Sequence, residues 1–279
     1  MKNVLENIYR KYNRTEFIET DPVRFLYRYS VPEDMEIAGL LAAELAYGRV
    51  EQIHKSLTEL FKRIGKSPFE FVKNFDSSKK SQLKTFKHRF TSGDDISDLL
   101  TVIKKVLTKY GSIELFFLQF HKPYDKNLVP AMTKFVEALR SMCDDTQKDG
   151  MSRGVKYLLA GPDGRSACKR LNLYLRWMVR KDKIDVGLWK NLDKAKLLVP
   201  VDVHMARLSR ILGFYNDGGI SLSSVEKITT AFARIRPDDP VRYDFALSRI
   251  GIVDKCNGLR RKQCDLCRLY EFCSANKWK

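Results

Sequence analysis

Apolar residues recur three and four apart along most of the 279-residue chain, and few stretches alternate with period two. That spacing is the signature of amphipathic helices. Ile37, Leu40, Leu41 and Leu45 form one stripe, which Asp34 is placed to cap and Gly48 to end or bend. Ile53, Leu57, Leu60, Phe61 and Ile64 form a second, closed by Gly65 and Pro68. The same periodicity predicts helices over 96–107, 113–120, 130–142, 151–159, 166–179, 203–212, 223–232 and 240–250. The polar, Lys- and Ser-rich segment 73–95 predicts no definite element. Tyr215-Asn216-Asp217-Gly218-Gly219 reads as a loop, because paired glycines next to Asn-Asp favour backbone angles outside a helix. The expected fold class is all-α.

Charge changes the picture. Against 34 Asp and Glu stand 51 Lys and Arg, a formal net charge of +17. A surplus of that size attracts polyanions, and nucleic acid is the commonest, since each neutralised phosphate releases counterions. Hydrophobic residues make up 44% of the chain, enough to build a core without disulfides. The first residues, MKNVLENIYRKYNR, lack the apolar run of a secretory signal. The apolar stretch 37–47 is interrupted by Glu44 and is too short to cross a bilayer. The expectation is a cytoplasmic, nucleoid-associated monomer with no membrane partner and with reduced cysteines.

Four cysteines cluster near the end. Cys256, Cys264, Cys267 and Cys273 read C-x7-C-x2-C-x5-C. Thiols this dense in a reducing compartment point to a metal centre. A tetrahedral zinc site usually pairs two short knuckles, and Cys256 has no near neighbour. A [4Fe–4S] cluster accepts more varied spacing, so iron–sulfur is favoured and zinc stays open. Cys143 and Cys168 lie apart and read as small core residues.

Two further places carry candidate chemistry. Asp202 follows the apolar run 197–199 and opens a helix, where an N-cap is the plain reading and a working carboxylate the sharper one. His204, two residues on, reads as a packed histidine. Upstream, Gly161 and Gly164 permit a tight turn whose backbone N–H groups can approach a phosphate. Arg165 lies in that turn. Lys169 opens the next helix. A lysine becomes a nucleophile when desolvation or a neighbouring cation lowers its pKa, and Ala167, Leu171, Leu175 and Arg170 offer both. The alternative is a surface or phosphate-binding lysine.

These segments carry a resemblance. D-F-A-L-S-R-I-G at Asp244–Gly251, followed by the four cysteines, resembles the end of endonuclease III and its adenine-glycosylase relative, with one extra residue in the first cysteine interval. V-D-V-H at Val201–His204 is similar to the V-D-T-H segment of helix-hairpin-helix DNA glycosylases. The turn before Lys169 lies where that family has its hairpin, with Pro162-Asp163 in place of the usual residues. The 33-residue interval from Lys169 to Asp202 resembles archaeal 8-oxoguanine glycosylase.

The resemblance implies a six-helix barrel over 34–183 with the hairpin. It also implies a second helical domain from 1–33 and 184–279 that carries a structural iron–sulfur loop over 256–273. It makes Lys169 the Schiff-base lysine and Asp202 the assisting carboxylate of a base-excision glycosylase and AP lyase acting on duplex DNA with a damaged base, an oxidised purine first. Leu40–Arg49 resembles the segment where the family places a DNA-reading glutamine, here Glu44, with Tyr47 and Arg49 for wedging and phosphate contact. Gly161, Gly164, Arg165, Arg170, Arg260, Arg261 and Lys262 complete the expected DNA contacts. The alternatives are a nucleic-acid-binding protein of this fold without the chemistry, and an RNA-binding module with a zinc knuckle. As a whole the chain resembles a sporadic bacterial family known as a domain of unknown function. The shared segments are K-Y-N-R (Lys11–Arg14), A-Y-G-R (Ala46–Arg49), C-K-R-L-N (Cys168–Asn172), L-R-W-M-V-R (Leu175–Arg180) and D-P-V-x-Y-D-F-A-L (Asp239–Leu247).

Overall fold

Each apolar stripe contains a helix in a computed structural model of the chain, which describes residues 1–144, 151–164, 166–216 and 218–274. In chain order these are α1 (Lys2–Tyr12), α2 (Pro32–Glu44), α3 (Val50–Ile64), α4 (Pro68–Lys73), α5 (Ser77–Leu83), α6 (Gly93–Tyr110) and α7 (Ile113–Leu118). They continue with α8 (Val129–Asp144), α9 (Arg153–Leu158), α10 (Lys169–Val179), α11 (Val203–Ile211), α12 (Leu222–Ile235) and α13 (Asp244–Ile252). Two 3-10 turns, Thr15–Thr20 and Pro22–Arg28, join α1 to α2. The fold is mostly helical, as the periodicity requires. No helix among the described residues is long and apolar enough to cross a membrane.

The polar segment after α4 holds what the pattern did not predict. α5 is capped by Asp76, whose Oδ1 accepts the N–H of Lys79 at 2.9 Å. A two-residue hairpin follows, β1 (Lys87–His88) against β2 (Thr91–Ser92), antiparallel with His88 opposite Thr91. Ser92 and Asp95 then form a reciprocal capping box that starts α6.

Helix α2 runs through the centre. Every residue from Ile37 to Glu44 is buried, so it is covered on all sides. It packs against the Pro22–Arg28 turn and against α10. The approach to α10 depends on Gly39, where a Cβ would stand 2.8 Å from Met178 Cε and 3.3 Å from Tyr174 Cε2. Asp34 does not cap this helix. Pro32 begins it after Val31, and the Asp34 carboxylate instead accepts Ser67 Oγ–H at 2.7 Å and Phe69 N–H at 2.9 Å, serving the start of α4. α1 packs on α13, and α13 on α11. The apolar side chains join into one continuous buried cluster.

A set of buried charges centres on the C-terminal half of α10. Arg176 of α10 and Arg180, the residue that ends it, are each about 3% exposed at the side chain. Arg176 donates to Asp185 at 3.1 Å and to Asp244. Arg180 donates from Nε to both oxygens of Asp239, at 3.0 and 2.9 Å, and from Nη1 to Asp185 at 2.7 Å and to Asp182. Tyr9 of α1 completes the set, donating to Asp182 at 2.8 Å. Burial alone would raise the Asp182 carboxyl, but the Arg180 charge and the backbone N–H groups of Asp185 and Ile184 bring it down to about 2.

Removing a charge from such a set leaves its partners buried and unpaired. Arg180→Met should cost about 3–5 kcal/mol of folding stability, measured by urea unfolding. Asp182 adds a pH dependence of known sign. Its folded pKa lies below the ordinary value of about 3.9, so its contribution is complete above that pH and is lost as pH falls toward 2. The stability gap between wild type and Asp182→Asn should narrow by about 1 kcal/mol between neutral pH and pH of about 3; a gap constant with pH contradicts it.

Candidate functional site

The chain enters α10 through Cys168, whose φ of 46° lies in the left-handed region. This turn brings Lys169, the first residue of α10, up to the segment that leaves α2, where its Nζ donates to the Ala46 carbonyl at 3.0 Å. Thirty-three residues later Asp202 caps α11. Its Oδ1 accepts the N–H of His204 at 2.9 Å and of Met205 at 2.8 Å, so both capping bonds fall on one carboxylate oxygen.

Lys169 and Asp202 line the same cleft, of about 670 Å³. Its walls come from the Thr20–Pro22 corner, the 46–53 segment, α10, the 200–204 entry to α11, and α13. The buried Arg176–Asp244 pair also lines it. Burial raises the Asp244 carboxyl to about 6, Arg176 opposes that rise, and the charge of Asp202 adds to it. Arg176 Nη2 has no hydrogen-bond partner. Arg249, likewise a lining residue, is paired to Asp21 at 3.0 Å. Arginines and Lys169 in the lining are matched by Asp21, Glu51, Asp202 and Asp244. The cleft is therefore not the strongly basic groove expected from the net charge.

Lys169 also lines an adjoining pocket of about 360 Å³, with Glu44, Tyr47, Tyr157, Cys168 and Arg170. Here several expected DNA contacts turn out to be internal. Arg170 donates to the Glu44 carbonyl at 3.0 Å and to the Tyr157 carbonyl, and its guanidinium stacks 4.1 Å from the centre of the Tyr157 ring. With both amino nitrogens on backbone carbonyls, it clamps α2 to α9 instead of reaching a phosphate. Glu44 is 5% exposed, so it does not face phosphates either. Tyr47 is half-buried. Its hydroxyl is tied to the hairpin by Thr91 Oγ1 at 2.7 Å and the His88 carbonyl at 3.0 Å, and its ring stacks on Phe90 at 5.2 Å. It positions the hairpin and does not wedge.

Arg49 is exposed and lines the cleft. Gly161 is buried against Val136 and the Asp163 carboxylate, which is paired to Arg140 at 2.6 Å. Gly164 is the exposed glycine of that turn. Neither glycine has a positive φ; Cys168 does. Arg165 lies outside the described residues, as does Asp217 in the 215–219 loop. His204 packs its ring on Gly251, and its Nδ1 is buried without a partner.

Sequence reasoning missed Phe90, 54% exposed beside Tyr47 and Tyr157. It also gave no role to the Arg176–Asp244 pair. A single Phe in a polar run and an Arg inside an apolar helix were the available signals.

The four cysteines share one cavity. Cys256, Cys264, Cys267 and Cys273 line one apolar cavity with Leu208, Ile211, Ile250 and Leu269, and none is in a disulfide. Arg261 N–H donates to Cys264 Sγ at 3.3 Å. Burial pushes the Cys267 thiol up, the Leu269 N–H pulls it down, and the three other cysteines push it up again. Among the described residues no group of three or more His, Cys, Asp or Glu is placed to hold a metal ion. Arg260, Arg261 and Lys262 are exposed on this loop, and Arg260 pairs with Asp265 at 3.2 Å.

At Gly251 a Cβ would stand 2.6 to 2.9 Å from the His204 ring and its Cβ, whereas at Gly164 it would meet nothing within 4 Å. Gly251→Ala should destabilise by about 1–3 kcal/mol, and Gly164→Ala should stay within about 0.5 kcal/mol of wild type. Thermal unfolding of both variants checks the pair.

The search found no match among curated proteins and none among solved structures. A family model matches residues 21–253, a span that holds both Lys169 and Asp202 and stops short of the four cysteines. The chain belongs to the family described as protein of unknown function (DUF2400).

Proposed function

We propose that the protein is a base-excision DNA glycosylase with AP-lyase activity and the helix-hairpin-helix glycosylase fold. The observation that carries this reading is that Lys169 and Asp202, far apart in sequence, line one cleft of about 670 Å³. The net charge of +17 supports a polyanionic partner. Since charge in the cleft is matched, phosphate contact falls to exposed residues around it, such as Arg49, and to Arg260, Arg261 and Lys262 on the cysteine loop.

In this mechanism a damaged nucleotide is everted into the cleft. The lone pair of Lys169 Nζ attacks C1′. The C1′–N bond breaks with its electron pair leaving on the base, which takes the proton released by the amine. The sugar ring opens as the C1′–O4′ bond breaks and O4′ takes a proton from solvent, giving an iminium between Nζ and C1′. Loss of a C2′ proton then expels the 3′ phosphate. Asp202 stabilises the positive charge that builds at the sugar as the base departs. Its Oδ1 is occupied by two backbone N–H groups, which fixes the carboxylate for that task. Oxidised purine is the first substrate expected. Cys256, Cys264, Cys267 and Cys273 would hold a [4Fe–4S] cluster that fixes the basic loop 256–273 and takes no part in excision.

A panel of lesion-bearing duplexes assayed for base release and strand cleavage tests the reading. Lys169→Gln should abolish lyase cleavage, and Asp202→Asn should lower excision by about a hundredfold or more, with duplex binding kept in both. Cleavage that survives Lys169→Gln, or no release from any lesion, contradicts it. The purified protein should be brown with a broad absorbance near 400 nm, roughly, from the cluster; a colourless protein that carries zinc contradicts the cofactor assignment alone.

A further inference from the structure

The Lys87–Ser92 hairpin borders the cleft without entering the chemistry proposed there. Its loop is two residues, Arg89 and Phe90, between His88 and Thr91. Arg89 has a φ of 55°, in the left-handed region, where a loop this short ordinarily places glycine or asparagine. An arginine held there at a conformational cost argues for a use of its side chain. That side chain reaches Gly48 on the cleft wall, where a Cβ would stand 2.8 Å from Arg89 Nη1. Phe90 is 54% exposed. Its ring stacks on Tyr47 at 5.2 Å with 28° between the planes, and Tyr157 meets it at 4.5 Å, nearly perpendicular. Tyr47 and Tyr157 are themselves 5.0 Å apart. The three ring centres thus form a nearly equilateral triangle, which puts both tyrosines on one side of Phe90 and leaves its opposite face open. Tyr47 is fixed to the hairpin through Thr91 Oγ1 at 2.7 Å, and Arg170 lies 4.1 Å from the centre of the Tyr157 ring. Phe90 is therefore a braced platform with one free face.

Charge surrounds that face. From Ser77 to Ser92 the chain carries Lys79, Lys80, Lys84, Lys87 and Arg89 and no acidic residue. Lys84, Lys87 and Arg89 are exposed, and among the described residues none of the three stands in an ion pair. A free aromatic face among unpaired cations is the combination that holds single strands: the phosphates follow the charges and a base stacks on the ring. A ring inserted between two base pairs needs both faces for bases, and Phe90 has one face on Tyr47. It can take a single unpaired base. We infer that the hairpin is a binding site for single-stranded DNA, with one unpaired base on the open face of Phe90 and the flanking phosphates at Lys84, Lys87 and Arg89. The choice of DNA over RNA rests on the glycosylase reading of the neighbouring cleft; the stacking does not.

Fluorescence anisotropy on the full chain tests this with four ligands of equal length: oligothymidine, the same backbone with tetrahydrofuran abasic residues throughout, oligouridine RNA, and oligothymidine annealed to oligodeoxyadenosine. Wild type should bind oligothymidine about tenfold or more tighter than the abasic strand, the difference being the stacked base. Phe90→Ala should remove most of that preference with abasic binding unchanged, and Phe90→Tyr should keep it. Arg89→Gly, which suits the positive φ and so keeps the shape of the tip, should weaken both strands alike and make the salt dependence shallower by about 0.7 in slope. Equal binding of the thymidine and abasic strands by wild type overturns the inference, a comparison that needs no variant to fold. So does a preference that survives Phe90→Ala, or a Phe90→Ala loss as large on the duplex as on the single strand. Tighter binding of the RNA overturns the choice of DNA. Wild-type excision on the lesion panel reads the cleft separately: excision without the thymidine preference strikes the platform alone, and the preference without excision strikes the glycosylase reading alone.

Discussion

Arg176 of α10 and Arg180, the residue that ends it, carry their charge into the interior and tie α10 to the segment that starts α13, one wall of the cleft. Arg180 binds Asp239, Asp185 and Asp182, and through Asp182 it reaches Tyr9 of α1. Arg176, one turn earlier, binds Asp185 and Asp244. Asp239 and Asp244 bracket the start of α13, so the pairs lock α10 against the segment that forms the opposite wall. A buried ion set of this kind adds little net stability over a well-packed apolar one, but it is intolerant of misplacement, because any partner shifted out of reach is left charged and dry. Lys169 stands at the start of α10, two turns from Arg176, and so takes its place from that lock.

The same helix connects the cleft to the adjoining pocket. Arg170 is used for architecture, held by two backbone carbonyls and an aromatic face, and Glu44 balances it from α2. Gly39 allows α10 to lie close on α2. The cysteine loop is a separate construction. It packs its thiols over the far ends of α11 and α13, and its cysteines lie beyond the stretch the family model covers.

Much of this was legible in the sequence, for reasons that can be named. Helix positions followed from apolar spacing, which tertiary packing preserves. That Lys169 and Asp202 line one cleft was suggested by motif resemblance, since no periodicity brings residues 33 apart together, whereas the grouping of the four cysteines was suggested by their spacing. What stayed hidden was the destination of charge. Arg170, Arg176 and Arg180 read alike on the page, yet all three are internal, because burial is decided by partners such as Asp185 and Asp239 that arrive from distant segments. The hairpin at Lys87–Ser92 was invisible because two residues per strand are too few for alternation to register. Asp34 looked like a cap for its own helix and serves α4 instead, a choice made by Pro32 two residues before it.

The central claim is chemical and local: one amine among the protein's many cations forms a bond to a deoxyribose carbon opposite the Asp202 carboxylate. Its most direct measurement is a peptide map, by mass spectrometry, of the protein after borohydride reduction on a duplex with a single natural abasic site. The account predicts a deoxyribose-phosphate remnant attached at Lys169 and at no other lysine. Attachment elsewhere, or none from a duplex that the protein binds, would contradict it.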